Sequence, residues 1–211
     1  MIDALKFISD AGKNLPNGLV AIDLACGNGW LGKYLLDNNF VNYIKFADAR
    51  TDWFDKGNLS NKAANFEFLN FDIEDAKLLE KALVDCNLVI YFGHLYHSCN
   101  PEKILDLICK SQAQYLLIES KVHDIDIGLS KDPIIYSCKE SSTQYYNAYN
   151  STGKTVWVKR PNLAFTKKFL EKNGWTISNC VDAVQKITLP DHTHTFDAHC
   201  YLIFATRDKS S

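Results

Sequence analysis

Between residues 19 and 36 the sequence passes from an unbroken apolar run, Leu19-Val20-Ala21-Ile22, through an acid and a glycine-bearing turn, Asp23-Leu24-Ala25-Cys26-Gly27-Asn28-Gly29, into apolar residues at helical spacing from Trp30 to Leu36. A short apolar run bounded by turn residues reads as a strand with both faces covered, and a 3.6-residue period reads as a helix. Strand, tight loop and helix in that order make the opening half of a βαβ unit. That unit commits the later strands to parallel pairing, with helices laid across them.

The rest of the chain keeps the alternation. Candidate strands fall at 43–47, 65–69, 88–92 and 115–119, with helical segments at 53–59, 76–84 and 102–110, the last opened by Pro101 at a favoured first-turn position. A short helix over 2–8 precedes the first strand and stops at Gly12 and the Leu15-Pro16-Asn17-Gly18 turn signal. After residue 162 come a helix over 163–173, a Gly174 cap, a strand over 175–181 and a last strand over 199–206, the two late strands expected to pair as an antiparallel hairpin. Between these blocks, residues 121–162 are polar and rich in Tyr and Ser, without a clear period and longer than an ordinary loop. They read as an insertion or lid on the acceptor side. The expectation is one α/β domain over residues 1–211: a mostly parallel sheet, helices on both faces, and a C-terminal antiparallel hairpin.

Composition narrows the partners. With 46% apolar residues in 211, the chain can bury a full core, and a net charge of −2 with scattered Lys and Arg favours neither a nucleic-acid backbone nor an anionic membrane. No early segment has the layout of a secretory leader, and no apolar run approaches the ~20 residues that span a bilayer. Seven cysteines, at 26, 86, 99, 109, 138, 180 and 200, form no CxxC pair, which fits a reducing, cytoplasmic setting.

The glycine loop admits two cofactors. Gly27 and Gly29 let the backbone turn sharply and approach a ligand closely. Extended to Gly32, the loop matches GxGxxG, the dinucleotide fingerprint, with Asp48 about 20 residues on. Asp23 breaks the tie, because an acid at the strand end repels a pyrophosphate and attracts the ammonium of an amino acid. Asp48, after the second strand, can accept both hydroxyls of a ribose. Asp72, after the third, can accept an adenine amino group, with Ile73 against the ring. Taken singly, each acid is as readily a cap or turn residue. At successive strand ends they follow the order of S-adenosylmethionine, with Ala25, Gly27, Gly29 and, after the fourth strand, Gly93 completing the cofactor wall.

The run Val20-Ala21-Ile22-Asp23-Leu24-Ala25-Cys26-Gly27-Asn28-Gly29 resembles the first motif of class I methyltransferases, which implies their Rossmann-like fold and S-adenosylmethionine as cofactor. Within that superfamily, Gly93-His94-Leu95-Tyr96-His97 followed by Pro101, and Trp157-Val158-Lys159-Arg160-Pro161-Asn162 followed by a helix and Gly174-Trp175, resemble the tRNA uridine carboxymethyltransferase-like branch. Members of that branch that act on tRNA carry a sizeable N-terminal extension, whereas this chain begins about 20 residues before its first strand. The resemblance therefore implies methyl transfer to a small-molecule or saccharide-like acceptor, with tRNA modification as the alternative.

Methyl transfer from a sulfonium is an in-line displacement, so the protein has mainly to position the reactants and, for a hydroxyl acceptor, to take up a proton. His97 is the first candidate base and His94 the second; a structural role is the competing account of each. Tyr96, Tyr145, Trp157, Arg160 and Asn162, with Tyr146 and Tyr149 nearby, offer the aromatic and polar mixture of an acceptor pocket, although aromatic residues in a long segment also serve to pack it down. The cluster Asp191-His192-Thr193-His194, with Asp197 and His199, lacks the thiolate pairs of structural zinc and reads as a solvated loop, so no metal is expected. A nicotinamide-dependent oxidoreductase and a non-catalytic cofactor-binding module are the other readings.

Overall fold

The computed structural model describes residues 4–56, 65–141, 155–188 and 195–208. Five parallel strands form the body of the sheet: β1 (Val20–Leu24), β2 (Tyr43–Asp48), β3 (Phe66–Asn70), β4 (Leu88–Tyr91) and β5 (Tyr115–Val122). Interleaved with them are α1 (Ala4–Gly12), α2 (Trp30–Asp37), α3 (Thr51–Lys56), α4 (Ala76–Ala82) and α5 (Pro101–Lys110). All four residues of β4 are buried, as a strand covered on both faces requires. Two further strands, β8 (Thr176–Thr188) and β9 (Thr195–Thr206), complete a seven-stranded sheet of order β3-β2-β1-β4-β5-β9-β8, in which β9 runs antiparallel to both neighbours.

The core lies in two layers, one on each face. Leu31 and Leu35 of α2 pack with Phe7, Ile8 and Ala11 of α1 and Phe54 of α3 on one side. Leu79 of α4, Ile104, Leu105 and Ile108 of α5, and Leu170 of α7 (Leu163–Lys172) pack on the other. Gly32, the third glycine of the GxGxxG pattern, is explained by this packing. A Cβ there would stand 2.4 Å from the Phe46 ring and 2.5 Å from Ile44 Cδ1, so its absence is what lets α2 lie on β2.

Two expectations are revised in extent. The late hairpin is longer than the apolar runs 175–181 and 199–206 indicate, because it continues past the last rung with β5, Val122 opposite His199, where polar residues such as Gln185 and Lys186 break the apolar run. Residues 121–141 and 155–162, the described parts of the 121–162 stretch, are more regular than their sequence indicates. β5 continues to Val122, and α6 (Ile125–Leu129) follows, capped by the Asp124 side chain, which accepts the Ile127 N–H at 3.1 Å. β6 (Ile135–Ser141) then pairs antiparallel with β7 (Thr155–Pro161) as a separate two-stranded sheet. Its strands escape notice because Ser137, Lys139 and Glu140 are no more apolar than loop residues, and a small sheet of this kind has little interior to mark it. Tyr145, Tyr146 and Tyr149 lie outside the described residues, as do the outer parts of the 2–8 and 53–59 helices.

Candidate active site

The chain moves outward from β1 to β2 and β3, then returns to place β4 on the other side of β1. At such a reversal the connections diverge and leave a crevice beyond the carboxyl ends of the strands. Asp23 opens onto this end from β1, Asp48 is the last residue of β2, and Asp72 follows two residues after β3. The sheet register therefore brings together three acids that are far apart in sequence.

The loop after β1 is held in shape by its own backbone. Ala25, Gly27 and Gly29 all have left-handed φ, at 53°, 57° and 72°. For Ala25 that conformation costs roughly 1–2 kcal/mol, a strain that surrounding bonds must offset. They are present: Cys26 N–H donates to Ala47 O at 3.1 Å, Gly29 N–H to Cys26 O at 2.8 Å, and Gly27 N–H to Asp48 Oδ2 at 2.8 Å. Asp48, only 3% exposed, also accepts the Arg50 N–H at 2.8 Å on Oδ1 and lies 3.4 Å from Arg50 Nε. One carboxylate thus ties the glycine loop to the turn after β2, while Oδ2 keeps capacity for a second hydrogen bond.

Asp23 is buried at 3% exposure and accepts the Gly32 N–H at 3.2 Å. Burial pushes its carboxyl up to about 7, with the Gly32 N–H pulling it down and the charge of Asp48 pushing it further up. A cation placed beside it would restore its charge. The Asn28 side chain accepts the Trp30 N–H at 3.2 Å. Two of the donors at the head of α2, the position where a dinucleotide fold receives its pyrophosphate, are therefore already used by acceptors of the protein itself. Asp72 holds the turn after β3 by accepting the Glu74 N–H at 3.0 Å, and burial raises its carboxyl above the usual range. Ile73 beside it is buried.

Beyond β4 the chemistry changes. Gly93 turns the chain with φ 71°, and a single 3-10 turn, Leu95–His97, presents Tyr96 and His97, both nearly buried. The Tyr96 and His97 rings stand 3.9 Å apart between centroids, and His94 lies 6.3 Å from His97. Tyr91 Oη is 3.3 Å from His94 Nδ1. Arg160, on β7 and 5% exposed, donates to Tyr96 O at 3.3 Å and to Tyr136 Oη at 3.4 Å, and Lys159 N–H donates to Ser98 O at 2.8 Å. The β6 and β7 sheet is thereby fastened to the turn that carries His97.

The remaining candidates separate by position. Asn162 is fully buried: its Oδ1 accepts the Phe165 and Ile134 N–H groups at 2.8 and 3.1 Å, and its Nδ2 donates to Ile127 O and Asp132 O at 3.0 and 2.9 Å. It caps α7 and gathers the segment between α6 and β6. Trp157 is 60% exposed on β7, with Lys139 Nζ 5.1 Å from its ring. Of the C-terminal cluster, residues 191–194 lie outside the described residues; His199 is buried on β9 with Nε2 3.0 Å from Asp182 Oδ2. Among the described residues no three His, Cys, Asp or Glu side chains gather as metal ligands.

Two acids were missed in the sequence. Glu74 Oε1 accepts the Ser98 hydroxyl at 2.6 Å and the Cys99 N–H at 2.8 Å, holding the far side of the 3-10 turn. Glu119 accepts the Gly93 N–H at 2.8 Å. Glu119 had a signal: like Asp23, it is a lone acid closing an apolar strand, Tyr115-Leu116-Leu117-Ile118. Glu74 had none, being one of several acids in a turn.

No protein-family model matches the chain, and no curated protein matches it in sequence. Solved structures do. The N-terminal domain of EvdMO1, determined with S-adenosylhomocysteine bound, aligns with 99% of this chain and 82% of its own at 15% identity and a TM-score of 0.65. The chain has the class I methyltransferase fold. A Listeria monocytogenes protein named as a candidate S-adenosylmethionine-dependent methyltransferase shares it over 98% of this chain and all of its own, at 14% identity and TM-score 0.64. So does a candidate RNA methyltransferase from Pyrococcus horikoshii, over 96% and 81%, at 12% identity and TM-score 0.59. The antiparallel β9 inside an otherwise parallel sheet separates this methyltransferase fold from the dinucleotide-binding one, whose six strands run 3-2-1-4-5-6 in parallel.

Proposed function

We propose that the protein is an S-adenosylmethionine-dependent methyltransferase acting on a small-molecule or saccharide-like acceptor. The observation that carries the reading is Asp23, a buried acid that takes the Gly32 N–H at the head of α2 and has its carboxyl held up near 7. A pyrophosphate would meet that acid and find the donor spent. An α-ammonium would find a carboxylate that ionises as it arrives.

On this reading Asp23 and the loop from Ala25 to Gly29 hold the amino-acid end of the cofactor, Asp48 its ribose, Asp72 and Ile73 its adenine, and Gly93 borders its reactive end. The bound cofactor supplies an electrophilic methyl group. The protein then has to exclude water, aim the acceptor and take up its proton, and His97 is assigned that last role with His94 beside it. Tyr96 and Arg160 wall the acceptor side, with Trp157 farther along the same insertion; Asn162 acts by holding that insertion in place. The EvdMO1 domain, crystallised in the presence of S-adenosylhomocysteine and D-fucose, supports an acceptor of the sugar class.

Calorimetry with S-adenosylhomocysteine and NAD tests the cofactor, and release of S-adenosylhomocysteine from S-adenosylmethionine over a panel of sugars and small hydroxylated compounds tests the reaction. Binding of the first nucleoside and not the second is expected. Thermal stabilisation by NAD with none by S-adenosylmethionine would overturn the reading.

A further inference from the structure

Parallel pairing between β4 and β5 stops at Tyr91 and Ile118, so the backbone of the Gly93–His97 turn lies past the last rung of the ladder. The next residue of β5, Glu119, takes over with its side chain. Leu117 packs in the layer with α1 and α2, whereas Leu116 and Ile118 pack in the opposite layer. Strand alternation therefore places Glu119 and Lys121 on the α1 and α2 face, at the crevice end of the sheet. Glu119 Oε2 accepts the Gly93 N–H at 2.8 Å, and Oε1 lies 3.7 Å from Lys121 Nζ. That ammonium in turn stands 5.6 Å from the centroid of the Tyr96 ring.

These contacts form a loop: from Gly93 to Glu119, on to Lys121, and back to Tyr96 in the same turn. We propose that Glu119 is a positioning residue whose carboxylate clamps the turn at both ends, directly at Gly93 and through Lys121 at Tyr96, and so sets where His97 stands in the crevice. The inference rests on reading this crevice as the site of methyl transfer. A hydrogen bond from a backbone N–H to a carboxylate is charge-assisted and stronger than one to a neutral acceptor. The lysine would be a poor orienting group alone, being long and flexible, and the acid fixes its head over the ring.

The clamp is sensitive to protonation. Burial raises the Glu119 carboxyl, and Lys121 and the Gly93 N–H pull it back down. On the neighbouring strand, burial pushes the Cys200 thiol and the Tyr201 phenol up, with the charge of Glu119 adding to both, so they stay neutral. As the pH falls through its raised value, Glu119 gains a proton and loses its hold on Lys121.

The test is backbone and histidine NMR on the whole chain, from about pH 4 to 8, with S-adenosylhomocysteine titrated in parallel. In the native protein the Gly93 amide proton is expected well downfield and to move with the Glu119 titration, as are the Tyr96 and His97 rings. Glu119→Gln keeps an acceptor for Gly93 but no charge, so it should retain the downfield amide and flatten its pH dependence. Glu119→Ala should lose both and shift the His97 ring signals. A Gly93 amide indifferent to pH and to both substitutions, or His97 signals unchanged in both variants, would overturn the clamp. Failure of the native protein to bind S-adenosylhomocysteine would instead overturn the functional reading and leave the amide titration intact.

Discussion

The two halves of the crevice are built differently. The half past β1, β2 and β3, proposed above to hold the cofactor, is acidic and grows from one continuous segment: Asp23, the left-handed loop and Gly29 are seven consecutive residues, to which the next two strands bring Asp48 and Asp72. The half past β4 and β5, proposed to face the acceptor, carries His94, His97, Lys121, His123 and Arg160, and is assembled at long range. Its central turn is gripped by Glu74 from the β3 side, Glu119 from β5 and Arg160 from β7. A local site keeps its geometry wherever the strand goes, while an assembled one depends on every element arriving. The first suits a common cofactor; the second leaves room for acceptors to differ.

The sharpest way to break this contrast is Asp48→Ala. The variant loses the tie to Gly27 N–H and, on the proposed reading, the charge-assisted bond that Oδ2 can still accept from a ribose, worth about 1.5–3 kcal/mol, so the Kd for S-adenosylhomocysteine is expected to rise about tenfold to a hundredfold in calorimetry. An unchanged Kd would mean that the cofactor does not lie across this half at all.

The second prediction concerns Asp23. Its carboxyl is raised from 3.8 to about 7, so between those values the folded protein without cofactor keeps a proton that the unfolded chain has released. The stability this contributes is complete below about 4 and lost as the pH rises through about 7. A ligand ammonium prefers the ionised acid, so affinity should climb with pH up to about 7, by at most about tenfold per unit, with proton release visible as buffer-dependent heats. Asp23→Asn should flatten the profile.

The smallest effect on binding is expected from Arg160→Leu, which tests the independence of the halves. Losing its buried bonds to Tyr96 O and Tyr136 should cost about 1–3 kcal/mol and lower Tm by roughly 2–10 °C, and shift the Tyr96 and His97 ring resonances. The Kd for S-adenosylhomocysteine should stay within about threefold. A large loss of cofactor affinity would show that the two halves are one structure.

The same contrast explains what could be read from the sequence. The order of strands and helices, the strand-end positions of Asp23, Asp48 and Asp72, and the glycine turns were legible because each is a short-range pattern: an apolar run ending in an acid, or a glycine between a strand and a helix. The β6 and β7 pair was not, since neither strand alternates strongly enough to announce a buried face. Asn162 stood out as a polar residue beside the acceptor motif, yet its contacts with Ile127, Asp132 and Ile134 depend on a fold-back of 28 to 35 residues that no local pattern encodes. Glu74 was hidden for the same reason, since what it holds is 24 to 25 residues away; Glu119 ended an apolar run as visibly as Asp23 did, but its hold on Gly93, 26 residues back, is set by the pairing of β4 with β5.

The placement of β9 also orders events in time. It is the last described strand to leave the ribosome, yet it sits between β5 and β8 rather than at the rim. Until residues 195–206 emerge, β5 has an open edge, and β8 has no partner in the sheet. Arg207, just beyond, then seals the junction: its backbone N–H donates to Gln114 O at 3.0 Å, and its guanidinium donates to the carbonyls of Cys109, Ser111 and Ala113 and stacks 4.6 Å from the Trp175 ring. The nascent chain must therefore carry a templating strand edge from the appearance of β5 until that of β9. The crevice, whose wall includes β5, is completed only after the described residues that line it have already been made.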